Sequence, residues 1–390
     1  MKDTTFSRIR FLIIILICLF LFSLVAVYSG SGQYAVADEF YFVKRQLFWY
    51  IVGFLMLIMV AWFDYELLEK WAFPMYLIGV LMLVYVQLFG TVKNGSQRWI
   101  DLGIFQLQPS EFMKLFLILY IAVLLKKAGS KRLSFIASIP VVLKVSIATV
   151  IPLFFVLMQP DLGSGLMIVA STLTFLFVSH ISTAMLLLLT VSLIALIILL
   201  ITLYYLNFEL FSRFFQDHQL SRIYGWLNPN EFASDYGYQL KQAILGIGSG
   251  QLTGNGFNQG VQVQNGQIPE AHTDFIFTVI GEEFGFIGAS ILLLLYFLLI
   301  YQIMMTSFHS GSLFGVYLCI GISGLMAFQI FQNIAMTVGL MPITGIALPF
   351  LSYGGSALLT NLIALGIIAS IRIRSNRRYV FGKNVLTQGD

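Results

Sequence analysis

The stretch PEAHTDFIF, residues Pro269–Phe277, sets Glu270, His272 and Asp274 directly against the start of a long apolar run. Ionisable groups at the rim of a hydrophobic segment are expensive to place, so each is a functional candidate. Glu111 and Lys114 open another run three residues apart, which puts them on one helical face and within pairing reach. At helical rise Lys114 lies ~6 Å below the outer end of its run, and Asp274 enters its own at a similar depth. A carboxylate, which can move a proton, and an ammonium, which can hold an anion, would then share one shallow cavity. Two plainer readings stay open. Thr273 and Asp274 stand where a helix N-cap belongs, and Lys114 could snorkel to the headgroups.

Deeper charges raise a separate expectation. Glu282 and Glu283 follow Asp274 by eight and nine residues, ~12 Å into the run. Lys144 reaches a comparable level from the other side. A structural ion pair between Lys144 and one of these glutamates is expected, because unpaired charges there would neutralise or draw in water.

The elements that must position these groups are set by composition. The chain of 390 residues is 58% hydrophobic and only 10% charged, with a mean hydropathy of +0.88; this is an integral membrane protein. A bilayer core of ~30 Å needs about 20 apolar residues per helix. Ten runs meet that need, near 11–29, 46–63, 72–90, 111–126, 136–158, 163–179, 183–207, 274–304, 312–336 and 354–373. The fold class expected is therefore an all-α polytopic membrane protein with ten transmembrane helices, residues 1–390 forming one domain. Ala35-Val36-Ala37 resembles a signal-peptidase site, but it lies too far along too long a run, so the first run reads as a retained anchor. Cys18 and Cys319 both fall inside apolar runs and read as packing residues.

Lysine and arginine fall unevenly between alternate connections. With the N-terminus inside, one face holds Lys2, Arg8, Arg10, Lys70, Lys126, Lys127, Lys131, Arg132, Arg372, Arg374, Arg377, Arg378 and Lys383. The excess obeys the positive-inside rule: both termini are cytoplasmic, the tail 374–390 included, and the loop 208–273 between the seventh and eighth helices is extracellular. The net charge of +4 speaks to topology and anionic lipid; no basic, aromatic-interleaved patch points to nucleic acid. The long connections, Gly30–Arg45, Thr91–Ser110, Phe208–Thr273 and Val338–Tyr353, all lie outside, and loops of that length are usually functional.

Loop 208–273 carries Gly246, Gly248, Gly250, Gly254 and Gly256. Without a preceding strand or a βαβ context these do not make a dinucleotide site. The loop reads as turn-rich, with short interfacial helices carrying Trp226, Tyr236 and Tyr238 at headgroup level. The Pro- and Gly-rich stretches Met341–Gly345 and Leu348–Ser356 are apolar yet non-helical, which suits a re-entrant loop lining a water-filled cavity.

On RWIDLGIFQLQPSEFMKL (Arg98–Leu115), QPDLGSG (Gln159–Gly165), PEAHTDFIFTVIGEEFGFIG (Pro269–Gly288) and LMPITGIALPFLSYGGS (Leu340–Ser356), the chain strongly resembles the SEDS family of RodA, FtsW and SpoVE. The resemblance extends over nearly the whole chain. It implies a multi-pass protein of the bacterial cytoplasmic membrane, a peptidoglycan glycosyltransferase that polymerises lipid II at the outer face. It also implies a class B penicillin-binding protein as partner, with elongation or division complex proteins around it. The family's essential aspartate maps to Asp274, and its outer-cavity lysine and glutamate to Lys114 and Glu111. The matching stretches add Arg98, Gln108, Ser110, Asp161, His272 and Ser352 as candidate substrate or pyrophosphate contacts. The short N-terminus and the stretch Ser356–Asn361 resemble RodA of Gram-positive bacteria, which implies a role in elongation and rod shape; a division or sporulation polymerase of the FtsW or SpoVE type is the alternative.

Glycan extension sends a sugar hydroxyl onto an anomeric carbon while a lipid pyrophosphate leaves. Asp274 is the candidate base, and Lys114 and Arg98 are candidates to hold the departing charge. A divalent cation, Mg²⁺ or Mn²⁺, could share that task, although no dedicated ligand cluster is visible. Two rival readings are a lipid II flippase, with Lys144, Glu282 and Glu283 lining a polar path, and a non-catalytic scaffold.

Overall fold

The computed structural model describes residues 2–32, 38–93, 96–101, 103, 105–213, 217–229 and 236–375. The triplet Ala35–Ala37, Asn94-Gly95 and the tail beyond residue 375 lie outside the described residues. The ten apolar runs fall on ten helices: α1 (Lys2–Ser31), α2 (Tyr41–Trp62), α3 (Tyr65–Phe89), α4 (Pro109–Ala128), α5 (Phe135–Met158), α6 (Leu162–Val178), α7 (Thr183–Leu206), α12 (Ile276–Phe308), α13 (Leu313–Thr337) and α14 (Gly355–Ser375). Eight of them are long and apolar enough to cross a membrane; α6 is a shorter apolar helix, and α4 carries Glu111, Lys114, Lys126 and Lys127 along its 20 residues.

The chain is mostly helical rather than all-helical. Three short strands, β1 (Thr91–Lys93), β2 (Ser96–Asp101) and β3 (Gln106–Leu107), form an antiparallel sheet in the order β1-β2-β3. Elements of two to six residues carry too little periodicity to announce themselves in a sequence. The sheet delivers Arg98 and leads into α4, whose first turn opens on Pro109. The long connection after α7 folds into α8 (Phe208–Ser212), α9 (Asp217–Leu227), α10 (Tyr236–Ser249) and α11 (Val261–Gln264). As expected, short helices carry Trp226, on α9, and Tyr236 and Tyr238, on α10.

The centre of the bundle is α13, packed on α12, α6 and α4, with α14 lying along α2. In lipid, helix association relies on close packing and hydrogen bonds rather than on hydrophobic exclusion, so small residues mark the contacts. Gly53 sits against Leu362, Gly366 against Leu57 and Val60, and Gly321 against Phe175 and Ile118. At the other extreme, α7 is exposed along almost its whole length.

Helix α12 is broken at Gly285, whose φ of 63° few other residues adopt. The backbone groups freed by the break are taken up by the loop. Asn255 N–H donates to Glu282 O (2.9 Å) and Gly256 N–H to Glu283 O (3.1 Å), while Phe286 and Ile287 donate to Gln251 O (2.9 Å) and Leu252 O (3.1 Å). The approach is close enough that a Cβ on Gly250 would lie 2.0 Å from Gly281 O. Gly250 and Gly254 of the glycine run serve this main-chain contact.

The expected Lys144 pair is not formed. Glu282 is fully buried and accepts from Gln262 N–H (2.7 Å) and Val263 N–H (3.1 Å) at the start of α11. Glu283 accepts from Ser29 Oγ on α1 and from Gln264 Nε2 at 3.2 Å. Helix α5 packs on α3, α4, α6 and α7, whereas α12 packs on α1, α10, α11, α13 and α14, so Lys144 projects from an exposed face remote from both glutamates. Lys144→Met is therefore expected to leave the thermal unfolding midpoint in detergent unchanged or raised. A marked drop would restore the ion pair as a structural element.

Candidate functional site

Residues 338–354 form the irregular segment between α13 and α14, and 348–352 are buried without a break. Non-helical backbone at such depth needs its carbonyls satisfied by protein. They are: Asn333 Nδ2 donates to Ile346 O (2.7 Å), Gln329 Nε2 to Ala347 O (2.9 Å), Tyr296 to Pro349 O (2.6 Å), Tyr50 to Phe350 O, Ser23 to Leu351 O (2.8 Å) and Gln46 to Ser352 O (3.2 Å). Side chains from α1, α2, α12 and α13 thus hold the loop as a fixed wall. Ser352 belongs to that wall; its buried Oγ accepts from Leu348 N–H at 2.7 Å.

On one side of the loop stands Asp274. The N-cap of α12 is Phe275, without a side-chain cap bond, so Asp274 is not spent on the helix. The residue is half-buried, and its Oδ1 accepts from the Thr273 hydroxyl at 3.0 Å. Gly345, at φ 69°, faces it so nearly that a Cβ there would sit 3.8 Å from Oδ2. Crowding by protein pushes the Asp274 carboxyl up to about 6, with the Glu270 charge adding to the rise and Thr273 and Arg222 opposing it. Arg222 comes from α9, where its Nη1 donates to Ile343 O (3.5 Å) and neighbouring Trp226 donates to Gly339 O (2.8 Å). Helix α9 is thereby laid over the loop.

A second polar cluster, centred on Asp161, borders the same loop. This residue caps α6, its Oδ1 accepting from Ser164 N–H (3.1 Å). Its Oδ2 accepts from Gln108 Nε2 (3.1 Å) and Ser110 Oγ (3.2 Å), and Arg98 Nη1 stands 3.5 Å from Oδ1. Burial alone would raise the Asp161 carboxyl, but the Arg98 guanidinium and the Ser164 donors hold it below its ordinary value. One turn inward, Lys114 Nζ pairs with Glu111 Oε1 at 2.7 Å and touches Met167 Sδ at 3.5 Å. Lys114 is 1% exposed, which excludes snorkelling. Gly163 abuts the loop so tightly that a Cβ there would lie 2.9 Å from Thr344 O. Residues Thr344–Ile346 are consequently flanked by the Asp161 cluster and by Asp274.

Other candidates are placed differently. His272 is buried between the rings of Phe42 (4.4 Å between centroids) and Tyr353 (5.6 Å), and burial lowers its pKa to about 4 despite a backbone bond to Gly30. It is neutral at pH 7 and offers no charge to an anion. Asn333, Arg222 and Gly345 were not singled out in the sequence. A buried carboxamide inside an apolar helix is the one signal that pointed to Asn333.

The chain matches the family described as "Cell cycle protein" (FtsW, RodA, SpoVE) over residues 9–377. It is 36% identical over 366 residues to a probable peptidoglycan glycosyltransferase FtsW of Trichlorobacter lovleyi, covering 92% of each chain. It is 33% identical over 376 residues to the peptidoglycan glycosyltransferase MrdB of Escherichia coli, covering 95% of each. Among solved structures it resembles a chain from a peptidoglycan synthase complex studied for the coordination of polymerization and crosslinking. That likeness has a TM-score of 0.73 at 25% identity and covers 93% of this chain and 97% of that one. With a match spanning nearly all of its length, this multi-pass membrane protein belongs to the FtsW/RodA/SpoVE family.

Proposed function

We propose that the chain is a peptidoglycan glycosyltransferase that polymerises lipid II into glycan strands at the outer face of the bacterial cytoplasmic membrane. The observation that carries the reading is Asp274: a carboxyl raised to about 6, free of capping duty, against a rigid glycine-lined loop. Asp274 takes the proton of the acceptor sugar hydroxyl as that oxygen attacks the anomeric carbon of the donor. The bond to the undecaprenyl pyrophosphate breaks, and the leaving charge falls toward Arg98. The Nε of Arg98 is buried and has no partner among the described residues, while Asp161 fixes the opposite end of the guanidinium. Lys114, paired with Glu111, acts through space on Asp161, helping to keep charged the carboxylate that holds Arg98.

All ten long helices cross the bilayer in this reading, with both termini cytoplasmic and α8–α11 outside. The partner is a class B penicillin-binding protein, and the role is that of RodA in elongation, as in Gram-positive bacteria. Among the described residues no three His, Cys, Asp or Glu side chains stand together to hold a metal. A divalent cation, Mg²⁺ or Mn²⁺, would therefore come with the substrate's pyrophosphate, and no step depends on it here.

Polymer formed from lipid II by the purified chain with its partner tests the reading; headgroup transfer across liposomes without polymer would replace it by a flippase. The base acts in its charged form, so the rate falls as pH drops through the Asp274 pKa of about 6. Turnover at pH 5 is expected to be about a tenth of that at pH 7. A rate that is flat across this window removes Asp274 as the base. For stability the sign is opposite: a carboxyl raised in the fold favours the protonated form, so folding weakens as pH climbs from the ordinary carboxylate value toward 6.

A further inference from the structure

Near its outer end α13 buries Asn333, which is fully inaccessible. Its Nδ2 donates to two carbonyls at once, Asp274 O and Ile346 O, each at 2.7 Å. The acceptors lie 59 and 13 residues away in the chain and belong to the two surfaces that face each other across the site. Among uncharged side chains only a carboxamide carries two N–H bonds on one atom with which to bridge two carbonyls; a hydroxyl has one proton to give and a carboxylate none. The Asn333 Oδ1 is buried and accepts nothing among the described residues, so the two carbonyls alone dictate the orientation of the amide.

We propose that Asn333 is a positioning residue for the glycosyl transfer, a clamp that sets the distance between Asp274 and the loop wall at Gly345-Ile346. The proposal rests on Asp274 being the base. The clamped atom is the main-chain carbonyl of the base itself, and Ile346 adjoins the glycine that faces Asp274 Oδ2. One amide therefore fixes the reacting carboxylate and the surface opposite it. Displacement by ~1 Å at such a site costs on the order of 10²-fold in rate. Gln329, one turn earlier on α13, makes a similar bond to Ala347 O at 2.9 Å but does not touch Asp274. It is a matched comparison: it braces the same loop and leaves the base alone.

The test uses the full-length chain with its partner and lipid II, measuring polymer kcat, KM and the acid limb from pH 5 to 8, alongside thermal unfolding. Asn333→Ala is expected to lower kcat by about 10–100-fold with KM within about threefold of native. Releasing the loop admits water to Asp274, which is otherwise faced by Glu270 and Thr273 from its own segment and by Arg222 from α9. The acid limb should then move down toward the ordinary carboxylate range by about half a pH unit or more. Gln329→Ala is expected to lower the unfolding midpoint comparably and leave the limb where it is. Should Asn333→Ala fail to fold, Asn333→Ser, which keeps one donor, is expected to show the same shift at a smaller size. A limb unmoved in the folded Asn333 variant, or moved equally by Gln329→Ala, overturns the proposal. Polymer made at the native rate by Asp274→Asn would instead sink the base assignment, and the clamp with it.

Discussion

Asp274→Asn is expected to lower lipid II polymerisation by about 10²–10⁴-fold, the usual worth of a general base. The protein should remain folded. Asparagine is isosteric, Asp274 makes no cap bond for α12, and its clamped group is the main-chain carbonyl, which the substitution leaves in place. Because the native carboxyl is crowded and raised to about 6, removing its charge should if anything stabilise the fold at neutral pH. The pairing of lost turnover with equal or higher thermal stability distinguishes a reacting group from a structural one. Gel-resolved glycan products and unfolding midpoints on the same preparation measure both; native polymer from the variant would refute the assignment.

Lys114→Met has the second large expected effect, and here stability and activity should separate under a double substitution. The change strands Glu111, a mostly buried carboxylate whose partner stands 2.7 Å away. Breaking a buried pair from one side costs about 3–5 kcal/mol, because the remaining charge has nothing to offset its desolvation. Adding Glu111→Gln removes that charge and is expected to recover most of the unfolding midpoint. Polymerisation should not recover, since the ammonium that helps keep Asp161 charged against Arg98 is still missing. A double variant as unstable as Lys114→Met alone would show that the pair does not hold α4. One that polymerises normally would show that Lys114 is dispensable to the leaving charge.

What the sequence disclosed and what it withheld divide along a physical line. Glu111 and Lys114 were legible because a helix makes neighbours of residues three apart, so spacing alone implies contact. Asp274 was legible as an ionisable group at the threshold of an apolar helix, although its capping alternative fell only when the helix was seen to begin at Ile276 with Phe275 as cap. Lys144 shows the limit of that reasoning. Depth along a helix can be counted, but the direction a side chain faces depends on which helices are neighbours, and α5 and α12 are not. The loss of that pair also removes the polar path on which a flippase reading relied, since Glu282 and Glu283 are engaged by α11 and α1. Asn333 was hidden for a related reason: its partners are main-chain carbonyls, which every residue possesses and no sequence distinguishes.

The splice between the break in α12 and residues 251–256 constrains how this part of the chain can change. Its four bonds join peptide groups to peptide groups, and Gln251, Leu252 and Thr253 turn their side chains outward. Exchanging Leu252 or Thr253 for other amino acids leaves the stitching intact, whereas Gln251, at φ 47°, suits only residues that tolerate a left-handed backbone. Deleting a single one would slide the whole ladder out of register and undo all four bonds together. Drift among relatives should therefore be permissive at Leu252 and Thr253, held to glycine at Gly254, where a Cβ would lie 2.1 Å from Glu283 O, and strict in length.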